Sequence, residues 1–236
     1  MIYYCADDYG LCNLLSRRIE ECAKNGVLNK ISVLPNMGDI DIKNIEKDVN
    51  VSLHINLVEG KALSKKENLN LLTDSDGKFK YSFTGLLKLS IIKPKEFERQ
   101  VYNEIKAQVS LWKKTAGRYN VLIDTHQHTH MIPLVFKALI RVINEENISV
   151  KYLRIPSEPV LPFLLTPSFY FTYNPVNILK QWLLKFLWQI NKKEFKNTQI
   201  PTALFFGILF SGKMDKKRVE KILPHYIKKA NKTNSK

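Results

Sequence analysis

The chain has 236 residues, of which 44% are hydrophobic and 25% are charged. This length predicts a single domain, and this composition excludes a disordered or fibrous chain. The formal net charge of +15 is uneven, because residues 180–236 contain 14 basic and 3 acidic side chains and so supply +11 of it. The basic character is therefore a property of the C-terminal quarter.

The cysteines and the first residues predict a cytoplasmic protein. Cys5, Cys12 and Cys22 give no disulfide framework and indicate a reducing compartment. Met1 is not followed by the basic and apolar regions of a secretory signal. The longest uncharged run, residues 159–179, contains four prolines, which argues against a membrane-spanning helix.

The apolar periodicity alternates between 2 and 3.6 residues, which predicts an α/β fold of parallel strands joined by helices. We place strands at 2–6, 27–34, 49–57, 121–123 and 150–155, and helices at 15–25, from Pro94 to near Gly117, and from Pro133 onward. Residues 58–93 have no clean period and are expected to form a long excursion. Residues 157–236 form an apolar and basic C-terminal region of the same domain, which spans residues 1–236.

The segment 178–190 is apolar except for two lysines and two glutamines. One interpretation is a helix packed on the core, with its lysines extending to solvent. The other is an interfacial helix over residues 176–190, which contacts a membrane surface or covers a lipid-linked substrate. The pattern leaves both open.

Acidic and histidine side chains follow or end three of the predicted strands. Asp7 and Asp8 come directly after the first strand, and His54 lies near the end of the polar face of residues 49–57. In parallel α/β folds the carboxyl ends of strands are where sites assemble. One carboxylate of the pair can bind a cation while the other takes a proton.

A histidine run follows the strand at 121–123. In an extended segment Asp124, His126, His128 and His130 would share one face at intervals of about 6.8 Å. Metal–imidazole bonds are about 2.0–2.1 Å long, so the three histidines could not all bind one ion. His126 is the expected ligand, and His128 and His130 are left for substrate binding, proton transfer or support of the ligands.

These three clusters would converge if the sheet closes into a barrel. One carboxylate and two imidazoles would then form a site with open positions, which suits a divalent ion that activates water.

At these residues the chain resembles the YdjC-like carbohydrate deacetylases of the ChbG/HpnK type. Residues 6–10 (Ala-Asp-Asp-Tyr-Gly), 52–57 (Ser-Leu-His-Ile-Asn-Leu) and 124–130 (Asp-Thr-His-Gln-His-Thr-His) are similar to three motifs of that family. Residues 205–214 are similar to the hopanoid-associated branch. The family's later Glu and His-Pro-Gly segment has no counterpart here.

The resemblance implies a deformed (β/α) barrel of the polysaccharide-deacetylase-like type, incomplete at its C-terminus. It implies hydrolysis of N-acetyl groups on an amino sugar, within an oligosaccharide or a glycolipid. The implied cofactor is a divalent metal ion, magnesium first and zinc as the alternative. A homodimer and no nucleic-acid partner are expected.

The same resemblance assigns roles to individual residues. Asp8, His54 and His126 would be the metal ligands, and Asp7 would be the general base. His128 is our choice for the acid that protonates the leaving amine, with His130 as the alternative. Asp124 and His130 would bind substrate or support the ligands.

Two other functions stay open at this point. The first is a non-catalytic or inactive homologue that binds anionic lipid or nucleic acid through the basic C-terminal quarter. Nucleic acid is disfavoured because aromatic and basic residues do not interleave as stacking requires. The second is another metallohydrolase, such as an amidohydrolase, but that class opens with His-X-His where this chain has an acidic pair.

Overall fold

The computed structural model describes residues 2–38, 42, 45, 48–116 and 120–233. The chain divides into two compact units between Tyr152 and Leu153. The assignment of residues 1–236 to one functional domain stays a prediction. No helix in the described part of the chain is both long and apolar enough to cross a membrane.

Five strands form one sheet in the order of the sequence. The first four are parallel neighbours, with Ile31 beside Val51 and Leu53 beside Ile123. The α/β class predicted from the sequence is therefore confirmed. The strands are β1 (Cys5–Tyr9), β2 (Lys30–Val33), β3 (Asn50–Ile55), β4 (Asn120–Thr125) and β5 (Ser149–Leu153).

Among the described residues, four α-helices belong to the first unit and three to the second. The excursion 58–93 contains a helix that the sequence did not predict, because its apolar residues surround the axis: Leu86 is buried while Ile91 and Ile92 are exposed. The helices are α1 (Asn13–Lys24), α2 (Phe83–Ile92), α3 (Pro94–Ala116), α4 (Pro133–Glu145), α5 (Leu161–Leu164), α6 (Pro175–Lys196) and α7 (Lys216–Thr233).

The core of the first unit lies between the sheet and helices α3 and α4. Apolar residues of β3 alternate with polar ones, as the sequence indicates, and Leu53 and Ile55 are fully buried. Its polar face is also buried, since Ser52 and His54 are at most 2% exposed. Buried polar groups need hydrogen-bond partners, so this face has to be part of a polar network.

Helix α3 fixes the excursion through three buried polar side chains spaced four residues apart. The Gln108 amide bonds both backbone groups of Asn56, at 2.9 and 2.6 Å. The Glu104 carboxylate accepts from the backbone N–H groups of residues 63 and 64, and Gln100 accepts from those of residues 71 and 72. The loop after β3 is therefore held from the core.

The second unit has its own aromatic core, built on Phe163, Phe169, Phe210, Ile222 and Tyr226. Beside it lies the buried carboxylate of Glu158, which accepts hydrogen bonds from the backbone N–H groups of Gly207, Ile208 and Leu209. Burial raises the pKa of Glu158 to about 7, although these three donors act in the opposite direction.

Candidate active site

The acidic pair lies in a β-bulge. Ala6 pairs with Ile31 and Tyr9 pairs with Val33, so β1 has one more residue than β2 over this interval. Asp8 has φ of +67°, a left-handed conformation that Asp adopts more readily than most residues. The bulge changes the direction of the Asp8 side chain, which is how two adjacent carboxylates come to lie beside the same histidine.

His54 is held between two carboxylates. The pairing of β3 with β4 places it directly beside Asp124, whose Oδ1 lies 2.5 Å from His54 Nδ1. On the other side of the ring, His54 Nε2 lies 3.1 Å from Asp8 Oδ1. Asp124 therefore fixes the ring so that Nε2 faces Asp8.

His126 is likewise held between two carboxylates, but in a more open setting. Its Nδ1 lies 2.7 Å from Asp8 Oδ1, and its Nε2 lies 3.3 Å from Glu59 Oε1. The Glu59 side chain is 42% exposed, whereas that of Asp124 is 1% exposed. The backbone carbonyl of Glu59 accepts from Asn56, whose side chain also accepts from the Glu59 N–H.

The histidine run is not extended, which corrects the geometry assumed from the sequence. Residues 126–131 form a short 3-10 segment in which Gln127 and His128 have left-handed backbone angles, with φ of +51° and +59°. The side chains therefore do not share one face.

His130 lies in the core rather than beside Asp8. Its Nδ1 is 2.6 Å from Thr125 Oγ1, its ring stacks on Phe136, and it is fully buried. His128 is half-buried.

A buried cation and two hydroxyls support Asp124. Lys30 Nζ donates to Asp124 Oδ2 at 2.9 Å, and the ammonium also lies 5.1 Å from the centre of the Tyr152 ring. Ser32 and Ser52 donate to the same oxygen at 2.8 and 3.2 Å. Both charged groups of the pair are 1% exposed, so the ion pair is desolvated and its geometry is fixed by these bonds.

The three predicted ligands can hold a metal ion. One ligand atom from each of Asp8, His54 and His126 lies within 4.8 Å of the others, and Asp7, His54 and Asp124 form an overlapping group. Ligand atoms about 2.1 Å from one ion are separated by about 3.0–3.4 Å, close to the Asp8–His54 and Asp8–His126 separations. The donor set and its spacing fit a divalent cation.

The surroundings of Asp8 and His54 shift the pKa values of both side chains. Burial opposes ionisation of Asp8, but its hydrogen bonds to His126 and His54 dominate and hold its pKa well below the usual range. Burial also opposes protonation of His54, but the charge of Asp124 and the hydrogen bonds to Asp124 and Asp8 together outweigh burial and raise the pKa of His54 to about 9. Asp8 is thus a carboxylate, the form that binds a cation.

Sequence reasoning missed Lys30, Ser32 and Glu59. The first two had a signal, because they alternate on β2 as Ser52 and His54 do on β3, so parallel pairing brings the four together. Glu59 had none, since it lies in an excursion without periodicity.

A model of the YdjC-like protein family matches residues 1–233 of the chain. The chain belongs to the YdjC-like family. It is 28% identical over 191 residues to a carbohydrate deacetylase of Thermoanaerobacter pseudethanolicus, a match that covers 77% of this chain and 73% of the relative. It is 28% identical over 199 residues to a carbohydrate deacetylase of Danio rerio, covering 82% of this chain and 58% of the relative.

Two further comparisons give another relative and a shared fold. A chitooligosaccharide deacetylase of Yersinia pestis is 23% identical over 150 residues, covering 62% of this chain and 56% of the relative. A solved structure described as a cellobiose-phosphate cleavage protein, from Enterococcus faecalis, aligns with a TM-score of 0.66 and 18% identity. That alignment covers 94% of this chain and 74% of the other, and it shows that the two share a fold. The chain spans less than two thirds of the Danio and Yersinia relatives.

Proposed function

We propose that this protein is a metal-dependent hydrolase that removes N-acetyl groups from an amino-sugar substrate, either an oligosaccharide or a glycolipid. Membership of the YdjC-like family and the names of its relatives support the reaction class. The observation that carries the proposal is the single Asp8 oxygen that contacts the ring nitrogens of both His54 and His126.

Asp8, His54 and His126 are the residues that would hold the cation. When bound, a divalent ion supplies a Lewis acid that makes water more acidic and stabilises negative charge on the substrate carbonyl. Magnesium is proposed first on the family resemblance, and zinc is the alternative because two imidazoles suit it.

Asp7 is proposed as the general base. Its carboxylate lies within 4.8 Å of ligand atoms of His54 and Asp124, and Cys5 Sγ donates to it at 3.3 Å. Asp7 would accept the proton of the attacking water, while Asp8 on the same bulge would bind the cation.

His128 is proposed as the acid that protonates the leaving amine. Its side chain is half-buried, whereas the imidazole of His130 is fully buried against Thr125 and Phe136. His130 is proposed to support the turn that carries His126, and Asp124 to orient His54.

Acetate release from N-acetylated chitooligosaccharides and glycolipids tests the proposal. We expect activity that a chelator abolishes and that added magnesium or zinc restores. Asp7→Asn should lower kcat by about 10²–10⁴-fold while titration calorimetry still detects cation binding. His126→Ala should lose both. Asp76→Asn, an exposed acid outside the site, is the matched control and should change neither.

The proposal fails if Asp7→Asn retains full turnover, or if His126→Ala binds the cation as tightly as the wild type. If the protein binds the cation but releases acetate from none of the acetylated sugars, it is a metal-binding protein and the hydrolase proposal is refuted.

A further inference from the structure

Helix α6 buries polar side chains beside Leu184 and Leu187 and exposes large apolar ones. Its buried face includes the polar residues Asn177, Gln181 and Asn191, which are 8%, 2% and 3% exposed. Asn177 Nδ2 donates to the carbonyls of Leu209 and Ser211, and the Gln181 amide bonds both backbone groups of Glu158. The hydrogen bonds of this polar face therefore fix the helix to the rest of the second unit.

The face turned to solvent is apolar. Five large side chains recur every three or four residues along it, and each is 47–71% exposed. A continuous apolar face of this kind is uncommon on the free surface of a protein and marks an interaction site. We call these residues the α6 stripe: Val176, Leu179, Trp182, Phe186 and Ile190.

Lysines border the α6 stripe. At 3.6 residues per turn, Lys180 lies on one side of it and Lys185 on the other. The Lys185 ammonium lies 5.4 Å from the centre of the Trp182 ring. Burial lowers the pKa of Lys180, which is only partly exposed.

We propose that the α6 stripe docks the protein on a membrane surface that contains anionic lipid. An interfacial helix combines an aromatic and aliphatic face with basic residues beside it, which is the arrangement found here. The second unit has 15 basic and 4 acidic side chains, a net charge of +11, so anionic headgroups complement it. Two copies that met through this stripe would instead bring two basic units together, which disfavours a dimer there.

This docking does not depend on the deacetylase activity. A protein that docks and has no activity would refute the proposed function alone, and an active protein that does not dock would refute this inference alone.

Sedimentation of the full chain with vesicles tests the inference. We expect binding to phosphatidylcholine vesicles that contain phosphatidylglycerol, and at least about tenfold weaker binding to phosphatidylcholine alone. Leu179→Ser with Phe186→Ser should weaken binding to the anionic vesicles by at least about tenfold. Ile91→Ser with Ile92→Ser, which alters equally exposed apolar residues of α2, is the matched control and should not.

A charge variant separates the two parts of the surface. Lys180→Glu with Lys185→Glu keeps the α6 stripe and should remove the preference for anionic vesicles. Trp182 should move to a less polar environment on binding, so tryptophan emission should shift to shorter wavelength in the wild type and much less in Trp182→Phe.

Three results would overturn the inference: no binding to anionic vesicles, equal binding to neutral ones, or unchanged binding by the stripe variant. A dimer seen by light scattering that the stripe variant converts to a monomer would assign the stripe to an interface between copies. Circular dichroism verifies that each variant is folded, and substitution of the exposed residues Leu179 and Phe186 should leave the fold intact.

Discussion

Asp124 and Glu158 are both buried carboxylates that join distant parts of the chain, one in each unit. Asp124 is surrounded by charged and hydroxyl donors, namely Lys30, Ser32, Ser52 and His54. Glu158 bonds three consecutive backbone N–H groups, and burial raises its pKa to about 7.

This difference shows how the same group can serve two purposes. A carboxylate paired with a cation stays charged and can direct a histidine toward a metal. A buried carboxylate that accepts hydrogen bonds only from backbone N–H groups holds a loop in place. Burial makes its charge unfavourable, so its pKa lies near neutral pH. The first kind lies beside the candidate site and contacts His54, and the second holds a loop of the second unit.

The largest effect is expected from breaking the pair at Asp124. Lys30→Met removes the ammonium from the buried Asp124 carboxylate, which keeps His54 and the two hydroxyls as partners, and should lower the free energy of unfolding by about 3–5 kcal/mol. Urea unfolding measures this. The double variant Lys30→Met, Asp124→Asn should recover part of the loss, because the carboxylate that lost its ammonium is removed as well. If the double variant is as unstable as the sum of the two single variants, the pair is not the cause.

The second effect concerns pH and Glu158. Its folded pKa of about 7 lies above the ordinary 4.5, so the folded protein binds this proton more tightly than the unfolded chain. The Glu158 contribution to stability is therefore full below pH 4.5 and is lost as the pH rises through 7, a loss of about 3 kcal/mol.

Glu158→Gln isolates that effect, because the amide keeps a carbonyl oxygen but cannot titrate. The wild type should lose about 3 kcal/mol relative to this variant between pH 5 and pH 8 in urea unfolding. A difference that is constant with pH would show that Glu158 does not titrate in this range.

The third effect is on cation affinity, which should depend on Asp124 and not on Glu158. Asp124→Asn should weaken cation affinity by about 10–100-fold, because His54 loses the partner that fixes its ring. Glu158→Gln is the matched control and should leave the affinity unchanged. Titration calorimetry with magnesium and zinc measures both, and an equal loss in the two variants would erase the distinction.

The smallest effect is expected at Glu59, the counterpart of Asp124 on the His126 side. Its side chain is 42% exposed and its oxygen lies 3.3 Å from His126, so solvent screens the contact. Glu59→Gln should change cation affinity by only about 2–5-fold, within the range of exposed ion pairs. A loss as large as that of Asp124→Asn would make the two supports equivalent.

Much of this arrangement could be predicted because it depends on periodicity. The alternation of polar residues on β3 and the helical spacing of α3 determine which faces are buried, and the parallel order of strands brings Asp8, His54 and His126 to one edge. The bulge at Asp8 and the left-handed turn at Gln127 and His128 could not be predicted. They are single-residue backbone choices that the surrounding structure imposes.

The left-handed backbone at Asp8 limits which residues can replace it. With φ of +67°, a β-branched residue would lose stability through its backbone as well as through the missing oxygen. Glycine relaxes the backbone and removes only the oxygen. Comparing the stability and the cation affinity of the glycine, asparagine and valine variants would separate the effect of the backbone conformation from the effect of losing the carboxylate oxygen.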